Sequence, residues 1–222
     1  MKNTLEAEGV ILEFGIKRVL QDVYFRSETS QITGLLGRNG TGKTCLMNIV
    51  YGELNPTNKS IRLNGKTAIN GLSHPDTIRY LPQHRFIPQH LNIKRIFRDF
   101  HLDFTEFVHQ FPEFEKYHKT RLTKLSGGER RIVEVYVILV SNTKFCLLDE
   151  PFSHIMPAHV EVIKKLILRE KKSKGIIITD HMYQHIIEIC DQLYVIQNGK
   201  TYLTESLKDL EILGYLKTND LQ

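Results

Sequence analysis

The stretch Gly37-Arg38-Asn39-Gly40-Thr41-Gly42-Lys43-Thr44 decides the fold. It fits G-x-x-x-x-G-K-[ST], the pattern of a loop that cradles phosphate groups. Its flanks count as much as its letters. Gln31-Ile32-Thr33-Gly34-Leu35-Leu36 reads as a short buried strand, and Cys45-Leu46-Met47-Asn48-Ile49-Val50-Tyr51 as a helix ended by Gly52. Glycines let successive backbone N–H groups converge with no Cβ in the way, and the following helix adds its positive end. Lys43 is expected to reach the β- and γ-phosphates of a nucleotide, and the Thr44 hydroxyl to meet Mg²⁺. A purely structural glycine turn would match this pattern by chance in about one chain in a hundred of this length. Nucleotide binding is the working reading.

Outward from that loop, strands and helices alternate. On the N-terminal side, Ile11–Phe14, Val19-Leu20 and Val23–Phe25 read as short strands joined by turns. On the C-terminal side, Ser60–Leu63 and Ile78–Leu81 read as strands, the second stopped by Pro82. From Gln83 to Arg121 the apolar residues Leu91, Ile93, Ile96, Phe97, Phe100, Phe104, Phe107, Val108 and Phe111 recur at roughly helical spacing. This is an aromatic-rich helical insert, mostly packing, with a docking face as a second reading. Helices follow at Ser126–Val140, Ala158–Ser173, Tyr183–Cys190 and Ser206–Leu213, with strands Phe145–Leu148 and Ile176–Thr179 between them. Leu193–Ile196 and Thr201–Leu203 flank an Asn198-Gly199 hairpin turn, and the polar end from Lys217 reads as frayed. The pattern predicts an α/β fold of the P-loop NTPase type: a central, mostly parallel sheet with an antiparallel β edge. Residues 1–222 are expected to form a single domain carrying 84–125 as a small helical subdomain.

The 222 residues are 41% hydrophobic and 25% charged, ordinary for a globular chain with a real core. The most apolar run, Ile132 to Val140, is short and carries Glu134, so no spanning helix is expected. Met1 to Glu8 has no apolar core for a signal peptide. Cys45, Cys146 and Cys190 are odd in number and scattered, which suits reduced thiols better than disulfides or zinc ligands. Cys45 sits at a helix N-terminus that would lower its pKa, though a small packed residue is the plainer reading. A net charge of +5 favours anionic partners, nucleotide phosphates and anionic head groups among them. Basic residues are interspersed with acids and no nucleic-acid module stands out, so no nucleic-acid partner is expected. Lys164, Lys165, Lys171, Lys172 and Lys174 read as a solvated helix face.

Two further stretches carry chemistry. Phe145-Cys146-Leu147-Leu148-Asp149-Glu150 is an apolar strand ending in carboxylates, at the end of a parallel sheet where ligands bind. Asp149 is placed to hold Mg²⁺, directly or through water; Glu150, one residue on, points differently and can polarise an attacking water. Leu125-Ser126-Gly127-Gly128-Glu129 opens a helix with capping-box spacing at Ser126 and Glu129. Its two glycines bare backbone N–H groups at the positive helix end, a surface suited to anionic oxygen.

Taken in order, these stretches resemble the ATP-binding cassette (ABC) ATPases, the engine subunits of ABC transporters. Gly37–Thr44 resembles Walker A, Leu125–Glu129 the LSGGE signature, and Leu147-Leu148-Asp149-Glu150-Pro151 Walker B. Gln83, after Tyr80-Leu81-Pro82, matches the Q-loop; His181, in Ile178-Thr179-Asp180-His181, matches the switch histidine. Phe14 stands where the family places an aromatic against adenine. Ser-Gly-Gly-Glu-Arg-Arg, Leu-Leu-Asp-Glu-Pro-Phe and Ile-Thr-Asp-His also resemble the lipopolysaccharide-export and branched-chain amino-acid importer ATPases. The resemblance implies ATP and Mg²⁺ as cofactors, with Phe14, Arg38, Asn39, Gly40, Thr41, Gly42, Lys43, Thr44 and Cys45 around the nucleotide. It implies a head-to-tail homodimer in which Ser126, Gly127, Gly128 and Glu129 of one copy cap ATP on the other. Lys43, Gln83, Glu150 and His181 become the hydrolytic set, and Thr44, Gln83 and Asp149 the metal set. A separate transmembrane permease is the implied partner, at the cytoplasmic face of the membrane. After Walker B the family usually ends its D-loop in Asp with a glycine before it; here Met156 and His154 stand there. That departure keeps a weakly hydrolysing regulatory cassette open as an alternative. A soluble, non-transport member of the family is another.

Overall fold

The computed structural model describes residues 2–67, 76–204 and 207–215. In chain order the strands and helices before the insert are β1 (Thr4–Phe14), β2 (Lys17–Glu28), β3 (Ile32–Gly37), α1 (Lys43–Tyr51), β4 (Asn58–Leu63), β5 (Lys66–Thr67) and β6 (Ile78–Leu81). Then come α2 (Ile93–Asp99), α3 (Phe104–Gln110), two short 3₁₀ turns at Pro112–Tyr117 and Leu122–Lys124, and α4 (Gly127–Val140). The rest is β7 (Phe145–Asp149), α5 (Pro157–Glu170), β8 (Gly175–Thr179), α6 (Tyr183–Ile189), β9 (Gln192–Gln197), β10 (Lys200–Thr204) and α7 (Leu207–Ile212).

Among the described residues these strands make two sheets, in the orders β2-β1-β4-β5 and β10-β9-β3-β8-β7-β6. The first is antiparallel throughout. The second is parallel from β9 to β6, with β10 added antiparallel at its edge. The expected α/β architecture with an antiparallel edge is what forms.

Strand alternation sends neighbouring residues to opposite faces, and in a sheet covered on both sides both faces are apolar. Along β7, Phe145 and Leu147 enter a core shared with the antiparallel sheet and α1, while Cys146 and Leu148 enter one shared with α4, α5 and α6. Along β8, Ile177 follows the first pair and Ile176 with Ile178 the second. The central sheet is thereby locked between two cores, so the ends of its parallel strands are rigid platforms.

Several expected boundaries move. The short N-terminal strands are two long ones whose pairing slips between Ala7 and Val10 and again near Leu12. The insert is not helical from Gln83: Asn92 and Asp103 accept hydrogen bonds from the backbone N–H groups of Arg95 and Thr105, and so start two separate short helices. Its aromatics point inward, with Phe97, Phe107, Phe111 and Phe114 buried, so the docking-face reading gains no exposed phenylalanine there. Lys174 is no solvated lysine. It is 2% exposed, donates to Leu139 O and Ser141 O at 2.7 Å each, and lies 3.2 Å from Glu170 Oε2. Lys164 is also covered, paired with Glu161 and Glu188. Asn198 and Gly199 both take positive φ, 51° and 76°, as a two-residue hairpin turn requires. Of the final helix, Ser206 lies outside the described residues, as does the chain from Lys217. Among the described residues no helix is long and apolar enough to cross a membrane.

Candidate functional site: a nucleotide cleft at the strand ends

The loop after β3 closes on itself. Thr41 donates from its backbone N–H (3.2 Å) and its hydroxyl (2.8 Å) to Arg38 O, and Leu46 N–H donates to Gly42 O at 2.8 Å as α1 begins. Gly42 caps that helix at φ 104°, a left-handed conformation, with Leu20 Cδ2 only 2.7 Å from where a Cβ would stand. Glycine is required there on both counts. Lys43 is buried, and its Nζ donates to Gly37 O at 2.7 Å and Arg38 O at 3.3 Å. Burial lowers its pKa, against the upward pull of Glu150, Asp149 and Asp180. The loop therefore holds a buried cation beside the N-terminal end of α1, the chemistry a polyphosphate needs.

An open cleft of about 450 Å³ lies over this loop. Ten of the expected residues line it: Phe14, Asn39, Gly40, Gly42, Lys43, Thr44, Cys45, Gln83, Glu150 and His181. Lys17 and Val19, which the sequence reading did not single out, complete the wall. Phe14 is 54% exposed at the end of β1, an unspent apolar face on the rim. Cys45 is half-buried and burial pushes its thiol pKa up, as the packed-residue reading expects and against a lowering by the helix end. Arg38 and Thr41 are not in the lining and serve the loop from outside.

The residues expected to act in hydrolysis meet because of strand pairing. β7 and β8 run parallel with Asp149 opposite Thr179, and Glu150 N–H donates to Thr179 O at 2.7 Å. One residue past the end of β7 and two past the end of β8, the chains are still side by side. His181 Nε2 thus lies 2.6 Å from Glu150 Oε1, and Gln83 Nε2 donates to the same oxygen at 2.9 Å. The Ser153 hydroxyl donates to Glu150 Oε2 at 3.2 Å. Glu150 itself has φ 52°, strained for a residue with a side chain. Asp180, absent from the expected set, is buried and accepts from Phe152 N–H (2.9 Å) and Met182 N–H (3.0 Å), pinning the turns that carry Glu150 and His181. An acid directly after an apolar strand was the signal for it.

Asp149 lies beneath the cleft, 1% exposed. Tyr80 OH donates to its Oδ2 at 3.1 Å, while Oδ1 is buried with no hydrogen-bond partner. Burial pushes the carboxyl above its ordinary pKa, against hydrogen bonds from Thr44 and Tyr80. An orphaned buried carboxylate oxygen beside a threonine hydroxyl fits a divalent cation. Among the described residues no group of three His, Cys, Asp or Glu could hold a metal alone. Such a cation would draw its other ligands from phosphate and water, as Mg²⁺ does.

Ser126 to Glu129 are elsewhere. They form a complete capping box: Glu129 N–H donates to Ser126 Oγ at 3.2 Å, and Ser126 N–H to Glu129 Oε2 at 2.7 Å. They do not line this chain's own cleft. A Cβ on Gly127 would meet nothing within 4 Å, whereas one on Gly128 would lie 2.6 Å from His154 O.

A phosphate-cradling loop opening a helix, with an acidic strand end buried beneath it, defines a nucleotide-binding P-loop α/β protein. The family model described as ABC transporter matches residues 20–153. The lipopolysaccharide export system ATP-binding protein LptB of Haemophilus influenzae is 31% identical, over 90% of this chain and 89% of its own. LptB of Escherichia coli K12 is also 31% identical, over 88% of each chain. In three dimensions, the solved ATP-binding subunit of an ABC transporter superposes with a TM-score of 0.80 at 20% identity, covering 98% of this chain and 97% of that one. The chain belongs to the ABC transporter family, as an ATP-binding and ATP-hydrolysing subunit of a transporter.

Proposed function

We propose that two copies of this chain close head to tail around two ATP–Mg²⁺ and drive a separate membrane permease from its cytoplasmic face. Adenine stacks on Phe14 at the rim. The backbone of Arg38 to Cys45 wraps the phosphates, and Lys43 gives its charge to the β- and γ-phosphates. Thr44, Asp149 and Gln83 would hold a magnesium ion, which would supply charge neutralisation on the phosphates; the unpartnered Asp149 Oδ1 is the oxygen free to meet it. Glu150 takes the proton of the attacking water, and His181, on the same carboxylate oxygen, steadies that water and the γ-phosphate. Ser126 to Glu129 of the second copy cap the nucleotide. Gln83 links the site to the 84–125 lobe, where the permease docks, and the whole chain works as one ATPase domain.

The observation that carries this reading is the convergence of Gln83 and His181 on Glu150 at the mouth of a cleft floored by Lys43. The test is Glu150→Gln. It should lower kcat by about 10²-fold or more, the scale of a lost general base, while the chain still binds ATP and sediments as a dimer only with nucleotide. Normal turnover would remove Glu150 from the chemistry. An ATP-loaded chain that stays monomeric at every concentration would remove the second copy.

A further inference from the structure

α4 is apolar on nearly every side, with Ile132, Val133, Val135, Tyr136, Val137, Ile138 and Leu139 all buried. Arg131 and Glu134, 6% and 3% exposed, are buried with them. Charges this deep persist only when paired and hydrogen-bonded. Arg131 Nη1 donates to Pro82 O at 2.9 Å and stands 3.6 Å from Glu134 Oε2. Arg131 Nη2 donates to Asp149 O at 2.6 Å and Glu150 O at 3.0 Å. Glu134 in turn accepts the backbone N–H groups of Phe86 and Ile87.

These partners are not scattered. Pro82 immediately precedes Gln83, and Phe86 and Ile87 follow it, so the pair grips Gln83's loop on both sides. The other two carbonyls belong to Asp149 and Glu150. Glu150 keeps a left-handed backbone, φ 52°, and its carbonyl is tied to the guanidinium. Only a planar fork with several fixed N–H directions can reach both segments at once. A pair that merely filled space would not select the two segments bearing the site's polar side chains.

We infer that Arg131 and Glu134 form a positioning clamp, which holds Gln83 and Glu150 in one register so that turnover depends on it while nucleotide binding does not. The inference rests on Gln83 and Glu150 being the working residues proposed above. Neither Arg131 nor Glu134 touches the cleft, so both act through other residues.

The decisive variant is Arg131→Met/Glu134→Leu in the full chain. Replacing both members leaves neither charge buried alone, but it also strands the carbonyls of Pro82, Asp149 and Glu150, so a lower Tm is expected. Assayed well below its Tm, the double variant should bind a fluorescent ATP analogue with its Kd unchanged and keep its KM for ATP. Its kcat should fall by about 10²-fold, the cost of misplacing reacting groups by about 1 Å. Arg131→Lys keeps the charge without the fork and should fall between wild type and the double variant in kcat. Full kcat in the folded double variant, or in folded Arg131→Lys should the double variant not fold, overturns the clamp. So does a kcat loss matched by an equal loss of ATP affinity. Turnover in Glu150→Gln would sink the site reading instead; an inactive Glu150→Gln beside a fully active double variant sinks the clamp alone.

Discussion

Gly127 and Gly128 are adjacent in the first turn of α4, yet the chain treats them oppositely. A methyl group on Gly128 would lie 2.6 Å from the carbonyl oxygen of His154; on Gly127 it would meet nothing. The obstacle is backbone, so no rotamer change relieves it, and overpacking of this kind costs about 1–3 kcal/mol. Alanine in a helix returns about 0.5–1 kcal/mol relative to glycine. Gly128→Ala should therefore lose about 1–2 kcal/mol and Gly127→Ala should gain a fraction of one. For a domain of this size 1 kcal/mol moves Tm by about 2–4 °C, so the two variants should separate by about 4–10 °C in calorimetry without nucleotide. Equal Tm values, or Gly127→Ala below Gly128→Ala, would refute the reasoning. The contrast also isolates the proposed seam. Since Gly127→Ala leaves this chain's own contacts untouched, any loss of ATP-dependent dimer it causes in a Glu150→Gln background must come from outside the chain.

Lys174→Met strands two carbonyl acceptors and Glu170, and should cost about 2–3 kcal/mol, read as a lower urea midpoint with an unchanged m-value. Met156→Asp should stabilise: Met156 caps α5 with extended φ and ψ of −68° and 145° but offers no side-chain acceptor. An aspartate there adds about 1 kcal/mol, seen as a Tm rise of about 2–4 °C. Glu129→Ala opens the capping box and should cost about 1 kcal/mol at neutral pH. Burial works against the Glu129 charge, but the Ser126 backbone N–H and hydroxyl, Tyr117 and Lys116 together outweigh it and hold the carboxyl below its ordinary pKa. A carboxyl lowered on folding stabilises above its unfolded pKa of about 4.3 and loses that effect as pH falls through the folded value. The stability gap between wild type and Glu129→Ala should thus narrow in acid; a gap that widens would reverse the sign.

What was legible in the sequence is what is local along it. The glycine loop, the acidic strand end and His181 each stand at a strand terminus, and parallel pairing of β7 with β8 delivers their meeting without further information. The long β1 and β2 were illegible because Gly9 and Asp22, at φ 61° and 60°, break the alternation into fragments that resemble separate short strands. Lys174 was misread because its partners, Leu139 and Ser141, close the far end of α4, some thirty residues earlier in the chain. Arg131 and Glu134 left a trace that composition alone hides. A helix apolar on all faces is buried on all faces, so its charges are buried too, and an i,i+3 pair of opposite sign inside such a helix marks a pair with partners to hold.

The D-loop departure can be divided the same way, into what the loop holds and what it shows. His154 has φ 64°, so a position where the family commonly has glycine is left-handed here as well, and histidine is among the residues that tolerate it. Its carbonyl lies over Gly128, and Ser153 next to it donates to Glu150. The inward half of the loop therefore joins Glu150, the proposed general base, to the start of α4 within one chain, and it does so without the aspartate. Met156 belongs to the outward half, 66% exposed with no polar contact to lose. Exchanging a carboxylate for a thioether there removes a side-chain cap from α5 and changes what the loop offers to a second copy, but leaves the Ser153 and His154 contacts as they are. A difference from ordinary cassettes should therefore surface in how one site depends on the other, with the chemistry at each Glu150 intact.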